Sequence, residues 1–118
     1  MPWNLFHSWY ASMRPGEREQ AMPLTLITLR GIPGSSEEEL AFYSRAEFDA
    51  LVDWAMNGRF VMAFVGRERD ELTLLCTEPV AIMEAHVSHL PLVAAGLAQA
   101  DIRLVSMLRL VNPVASLH

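Results

Sequence analysis

The sequence contains no lysine, and each of its nine basic side chains is an arginine. Its net charge of −5 argues against a general nucleic-acid binder, because phosphate contacts require clustered lysines and arginines. It also lacks any uncharged apolar run close to the roughly 18 residues of a membrane-spanning helix, so we expect no membrane partner. No lysine or arginine precedes Arg14, and no continuous apolar segment follows the start, as a signal peptide would require. We therefore expect a cytoplasmic protein.

Cysteine is nearly absent, since Cys76 is the single one. This excludes a disulfide framework and a thiolate metal cluster, and the apolar run around Cys76 predicts a buried, unreactive thiol. His86 and His89 are close on a predicted helix, but no third ligand lies near them in the sequence, so we predict no metal. The sequence also has no phosphate-binding glycine loop and no redox dithiol, and we expect no cofactor.

Apolar residues are abundant, at 52% of the 118 positions. A chain of this length forms one domain, and its apolar excess indicates that some apolar surface is covered by self-association. Residues 1–22 form an aromatic-rich arm that we expect to pack on its own domain or on a neighbouring subunit. Residues 23–113 are the predicted domain, and residues 114–118 are a short tail.

The local patterns predict four strands and two helices in alternation. The elements are a strand at Leu24–Arg30, a helix capped by Ser35 or Ser36 and ended by Asn57 and Gly58, strands at Phe60–Val65 and Leu72–Cys76, a helix capped by Thr77 and interrupted at Pro91, and a strand opened by Asp101 and running over Ile102–Val111. This βαββαβ order is typical of a ferredoxin-like α+β fold, with a four-stranded antiparallel sheet and both helices on one face. Because Phe60–Val65 is apolar on both sides, we expect the uncovered face to meet the same face of a second subunit. The predicted partner is another copy, in a dimer or a multiple of dimers.

Two arginines of the last strand are candidate ligand-binding residues. Arg103 and Arg109 alternate onto the open side of the predicted sheet, where guanidinium groups could hold a carboxylate bidentately. Arg30, at the end of the first strand, could join them or face water. The alternative is that the arginines extend to the rim and pair with acids of the partner subunit.

Glu47 is the leading candidate for proton transfer. It falls within the apolar stripe of the first helix, between Tyr43 and Leu51, where a half-buried carboxyl group would have a raised pKa. The alternative is a rim residue paired with Arg45 or with a partner's arginine. Tyr43 would lie beside Glu47 and contact the ligand. His86 is a second candidate base, because imidazole titrates near neutrality, or else a packing residue.

The chain resembles the muconolactone delta-isomerase-like family, and more distantly the YciI-like proteins, within the dimeric α/β-barrel group. The resemblance covers about Pro23 to Pro113. It is carried by the helix ending at Asn57 and Gly58, the short apolar strand pair, Leu90–Leu92 and the closing prolyl turn. Members of this family move a proton within an unsaturated lactone acid without a cofactor. The resemblance implies the same type of reaction, and Glu47 looks like a match to an acidic position of the family.

Three functional hypotheses follow. The first is a cofactor-independent isomerase acting on a small lactone or carboxylate, in which Arg103 and Arg109 hold the anion and Glu47 or His86 transfers the proton. The second is a non-catalytic module for small-ligand binding or oligomeric assembly, since a fold alone does not imply catalysis. The third is cofactor-free oxygenation of an aromatic substrate, which needs an apolar cavity and one base.

Overall fold

The computed structural model describes residues 22–107 and the single positions Ser8, Ala11 and Ser12. The chain divides into two units, one of which is Leu24–Val105 and the other Met1–Pro23 together with Ser106–His118. Arg109, the predicted tail and nearly all of the predicted arm lie outside the described residues.

Within residues 22–107 the architecture is α+β. The elements are β1 (Met22–Gly31), α1 (Glu37–Met56), β2 (Phe60–Val65), β3 (Glu71–Cys76), α2 (Val80–Ser88), α3 (Pro91–Ala94) and β4 (Ala98–Met107). The four strands form one antiparallel sheet in the order β2-β3-β1-β4, so β1 and β3 are central. The predicted α+β class and four-stranded antiparallel sheet are confirmed. None of the described helices is long and apolar enough to cross a membrane.

Helix α1 begins and ends at the residues that the sequence indicates. The Ser36 side chain accepts a hydrogen bond from the Glu39 N–H at 3.1 Å, and the first turn is acidic, which suits the positive end of the helix dipole. At the other end Asn57 is the C-cap, and Gly58 follows with a φ of +70°, a conformation that an L side chain disfavours.

The second helical region differs from the prediction at both ends. Thr77 is not the N-cap of α2; Pro79 occupies that position without a side-chain hydrogen bond. Pro91, which has no N–H to donate, begins the separate short helix α3. This agrees with the predicted interruption of the helix at Pro91. Strand β4 then begins at Ala98, before the predicted opening at Asp101.

The core lies between one face of the sheet and the helices. The strand register pairs Ile27 with Leu74, so both side chains lie on that face. The buried cluster contains Ile27 and Leu29 of β1, Leu74 and Cys76 of β3, Trp54 of α1, Met83 and Val87 of α2, and Leu90. Both α1 and α2 therefore pack on this face, and each large apolar side chain buried there contributes about 1.5–3 kcal/mol.

The opposite face of the sheet, called here the open face, is also mostly apolar. In the unit Leu24–Val105 its strand alternation presents Leu26, Thr28, Met62, Phe64, Thr73 and Leu75. Met62 is 56% exposed and Phe64 is 54% exposed, although both are large apolar side chains. Thr28 and Thr73 are register partners at the centre, and their hydroxyl oxygens lie 3.4 Å apart.

Candidate functional site

A cavity of about 450 Å³ lies between α1, one end of the central strands and the segment that joins α3 to β4. Its lining consists of the apolar side chains Leu29, Leu40, Leu51, Val65, Leu72, Leu92 and Leu97, the small residues Gly31 and Ala98, and the polar residues Arg30, Ser44, Glu47, Asp70 and Glu71. An apolar pocket with a few polar groups, of roughly 300–1,000 Å³, is the usual form of a small-molecule site. We call it the Glu47 cavity.

Glu47 is the buried polar residue of this cavity. The side chain is only 6% exposed, and its Oε2 atom accepts a hydrogen bond from the main-chain N–H of Leu92 at 2.9 Å. The Oε1 atom is buried and has no hydrogen-bond partner in the described part of the chain. Native proteins rarely leave such an atom unsatisfied. Because Oε1 has almost no accessible surface, a ligand in the cavity would contact it only after a change in the Glu47 side-chain conformation.

The main-chain donor of Leu92 is available because α3 begins without a local cap. Its N-cap is Leu90, whose side chain cannot accept a hydrogen bond, and Pro91 follows directly. The first N–H groups of a helix have no partner inside the helix, and Glu47 supplies one from α1. We did not predict this contact from the sequence. The signal in the sequence for this contact is Leu90, an apolar residue at the cap position, followed by Pro91, which begins the helix.

The environment of Glu47 changes its acidity. Burial raises the pKa of the Glu47 carboxyl group above its ordinary value of 4.5, and the hydrogen bond from Leu92 opposes this increase in part. The predicted burial of this carboxyl group is therefore confirmed, and its pKa shifts in the predicted direction. Pairing of Glu47 with Arg45 is wrong, because Arg45 lies at the surface with its Nε 3.5 Å from Oδ1 of Asp49.

Charged residues surround the outer part of the cavity. The Nε of Arg30 lies 3.4 Å from Oε2 of Glu71, and both side chains are partly exposed. The Gly31 N–H donates to the Asp70 carbonyl oxygen at 3.1 Å, which joins the β2–β3 hairpin to the end of β1. Arg30 borders the cavity and already has an acidic neighbour, and its predicted role in holding an anion stays a prediction. Asp70 and Glu71 were not among the predicted site residues.

Two other predicted residues do not line the cavity. Tyr43 is half-buried on α1 and packs edge-to-face with Phe42, with 5.0 Å between ring centroids. His86 lies on α2, where its ring centroid is 6.2 Å from that of Trp54 and its Nε2 is 3.6 Å from Oε2 of Glu78. The structure therefore does not bring His86 and Glu47 into one site.

His86 belongs instead to a separate cluster. Glu78 also accepts a hydrogen bond from the Nε of Arg59 at 2.8 Å, and the Arg59 guanidinium lies 5.4 Å from the Trp54 ring centroid. Among the described residues, no group of three His, Cys, Asp or Glu side chains is arranged to hold a metal ion.

The predicted arginine pair cannot be assembled in the Glu47 cavity from the described residues. Ala100 and Ile102 of β4 pack against the core, so strand alternation places the exposed Arg103 on the open face. Arg30 of β1 alternates to the open face as well, because Ile27 and Leu29 face the core. Arg103 and Arg30 therefore share the open face, and Arg109 lies outside the described residues.

No protein-family model matches the chain, and no curated protein is significantly similar to it. The family resemblance stays a prediction, and the function has to be argued from the site. Chemically, a buried carboxyl group with one unpartnered oxygen beside an apolar space can accept or release a proton at a bound molecule.

Proposed function

We propose that the chain is a cofactor-independent isomerase that moves a proton within a small, largely apolar carbonyl compound such as a lactone. The observation that carries this proposal is the buried Glu47 carboxyl group, whose unpartnered Oε1 belongs to a residue lining a cavity of about 450 Å³. A raised pKa makes this carboxylate a stronger base than an exposed one, which favours proton abstraction near neutral pH.

The proposed reaction begins with an ionised Glu47. Its Oε1 takes a proton from the carbon beside the ligand carbonyl, and the electron pair of the broken C–H bond moves towards the carbonyl oxygen to form an enolate. Glu47 then returns the proton to the far carbon of the conjugated system, so the double bond moves while no atom is gained or lost. The Leu92 N–H holds Oε2 throughout and fixes the orientation of the carboxyl group.

Other lining residues would assist without exchanging a proton. The side chains of Leu29, Leu51 and Leu72 limit water around the carboxyl group, which strengthens electrostatic interactions inside the cavity. Ser44 carries a side-chain donor in the lining, and it could stabilise the negative charge that develops on the ligand oxygen. The Ser44 hydroxyl donates to the Leu40 carbonyl oxygen in the present arrangement and would have to rotate.

The same proposal includes the finer fold and the oligomer. We infer a ferredoxin-like fold whose open faces pair in a dimeric α/β barrel. The strand order β2-β3-β1-β4, with the helices packed on one face, supports the ferredoxin-like arrangement. The half-exposed Met62 and Phe64 support pairing, because a monomer rarely leaves a large apolar surface in water. Arg103 would then lie at the subunit interface.

Hydrogen exchange at carbon tests the reaction without knowledge of the natural substrate. A panel of α,β- and β,γ-unsaturated lactones is incubated with the protein in D₂O, and NMR follows deuterium incorporation and migration of the double bond. We expect both for at least one lactone. Glu47→Gln should lower the rate by ~10²–10⁴-fold, because it removes the base while its amide oxygen can still accept from Leu92.

The matched control is Glu38→Gln, which makes the same change in the first turn of α1, outside the cavity lining. Equal rates for Glu47→Gln and the unmodified protein would remove Glu47 from the mechanism. Binding of lactones without any exchange would identify a ligand-binding module instead. Oxygen uptake with an aromatic substrate would indicate the oxygenase.

A further inference from the structure

The charges that line the Glu47 cavity are unbalanced. Its lining contains the acidic residues Glu47 and Asp70, whereas Arg30 and Glu71 border it and, by strand alternation, direct their side chains to the open face. Arg30 is already 3.4 Å from Glu71. Neither Glu47 nor Asp70 forms an ion pair within the described residues, so the uncompensated charge of the cavity is negative.

From this imbalance we propose that the cavity binds uncharged molecules and rejects carboxylates. The substrate is then a lactone, ester or ketone without a free acid group. The reaction assigned to such a substrate rests on the proposed function, but the binding preference does not. It requires only the cavity and the charges in its lining.

A bound carboxylate would be disfavoured for two reasons. It would lose its hydration among leucine side chains, and it would approach Glu47 and Asp70, which carry the same charge when ionised. Arg30 offers little compensation, because strand alternation directs it to the open face, where its Nε lies 3.4 Å from Oε2 of Glu71.

The nearby hairpin does not supply the missing positive charge. Arg67 and Arg69 line a different, more open depression, together with Gly66, Glu68 and Glu71. They do not belong to the lining of the Glu47 cavity. Asp70 belongs to the lining of the Glu47 cavity, so the hairpin presents an acidic residue to the cavity and its arginines elsewhere.

A cationic ligand is also a poorer fit than an uncharged one. An ammonium group would pair with Glu47 and stabilise its ionised form, and this pairing would lower the basicity on which the reaction depends. It would also have to leave water for a mostly apolar lining. An uncharged carbonyl compound avoids both penalties and leaves the Oε1 atom of Glu47 free to contact a C–H bond.

Three probes of similar shape test the preference directly. They are cyclohexanecarboxamide, cyclohexanecarboxylate and cyclohexylmethylammonium, each titrated into the protein at pH 7.5 and low salt with NMR detection. We expect the amide to bind most tightly and the carboxylate to bind about tenfold more weakly or worse. A carboxylate that binds as tightly as the amide overturns the proposal. So does an ammonium ion that binds more tightly than the amide, or the failure of all three to bind.

Variants locate the source of the discrimination. Asp70→Asn removes one carboxylate of the lining and should narrow the difference between amide and carboxylate by about threefold or more. Glu68→Gln makes the same charge change on the same hairpin outside this lining, and should leave the difference unchanged. Equal effects of the two variants would mean that the overall charge of the protein, and not the cavity, decides the preference.

The two proposals can fail separately. If lactone exchange depends on Glu47 but carboxylates bind as well as amides, the reaction stands and the charge preference is wrong. If the amide binds best but Glu47→Gln leaves exchange unaffected, the preference stands and the catalytic role of Glu47 is wrong.

Discussion

The main-chain N–H of Leu92 donates to Oε2 of Glu47 across 2.9 Å, and this bond joins α1 to the first turn of α3. It gives Glu47 a structural role beside the chemical one that we propose. The two roles use different oxygen atoms, since Oε1 has no partner within the described residues. A substitution that keeps a hydrogen-bond acceptor at position 47 but removes the ionisable group can therefore distinguish the structural role from the chemical one.

Replacing Glu47 with alanine should destabilise the protein more than replacing it with glutamine. Alanine leaves the Leu92 N–H without its acceptor and enlarges the cavity, at a cost of about 1–3 kcal/mol. Glutamine keeps an acceptor oxygen and removes the ionisable group, so we expect a change within about 1 kcal/mol. Urea unfolding at pH 7 measures both. Equal losses for the two variants would show that the hydrogen bond contributes little.

The stability of the unmodified protein should fall with rising pH relative to Glu47→Gln. Burial raises the pKa of Glu47 in the folded state above its ordinary value of 4.5. At pH values between the pKa of the unfolded chain and that of the folded protein, the folded protein therefore binds more protons. The stabilising contribution is present below the unfolded pKa and is lost as pH rises through the folded pKa. Unfolding free energies at a series of pH values, taken as a difference from Glu47→Gln, measure it. A constant difference would contradict a raised pKa.

Cys76 should be unreactive in the native protein. Its side chain is fully buried, and burial together with the charge of Glu78 raises the pKa of the thiol to about 11, against a small opposing effect of Arg59. At pH 8 only about one thiol in a thousand would be ionised. Labelling with a thiol reagent should therefore be slow in buffer and complete in urea. Rapid labelling of the folded protein would show that β3 opens readily.

Two glycines of the hairpin region should respond differently to alanine. A Cβ atom at Gly66 would lie 2.6 Å from the main-chain oxygen of Arg69, so the hairpin backbone has to move. A Cβ atom at Gly31 meets the carboxylate end of the Asp70 side chain, which can rotate away. We expect Gly66→Ala to cost about 1–3 kcal/mol and Gly31→Ala less than about 1 kcal/mol. Thermal unfolding of both variants checks the order, and the reverse order would contradict it.

Local features of the fold were predictable from the sequence because they depend on neighbouring residues. The Ser36 cap, the Asn57 end of α1 and the bounds of β2 at Phe60–Val65 are of this kind. Thr77 was misplaced as a cap because the local pattern does not decide between it and Pro79, and the structure starts α2 after the proline. The burial of Glu47 was predictable from its position in the apolar stripe of the helix.

The assembly of the site was not predictable in the same way. Strand alternation puts Arg103 on the open face, as predicted, but the cavity forms on the other face, where α1, the hairpin and the α3–β4 segment meet. Which face contains a cavity depends on how these distant segments pack, and no local pattern records it. The contact between Leu92 and Glu47 is of the same type, since it joins residues 45 positions apart.

Phe64 provides a test of the proposed dimer. It is 54% exposed on the open face, opposite Thr73 of β3, and in a dimer it would be buried against the partner's sheet. Phe64→Glu would place a charge in that interface without disturbing the core of the unit, so we expect it to shift the protein from dimer to monomer. Light scattering at several concentrations measures the mass.

The matched control is Phe42→Glu, which introduces the same charge on α1, where Phe42 is 74% exposed. This variant should keep the mass of the unmodified protein, because α1 lies on the helix-covered side of the sheet. Far-ultraviolet circular dichroism shows whether each variant keeps its helices and strands. A folded Phe64→Glu protein with unchanged mass would mean that the open face does not form the interface. Loss of the dimer in both variants would place the contact on α1 as well.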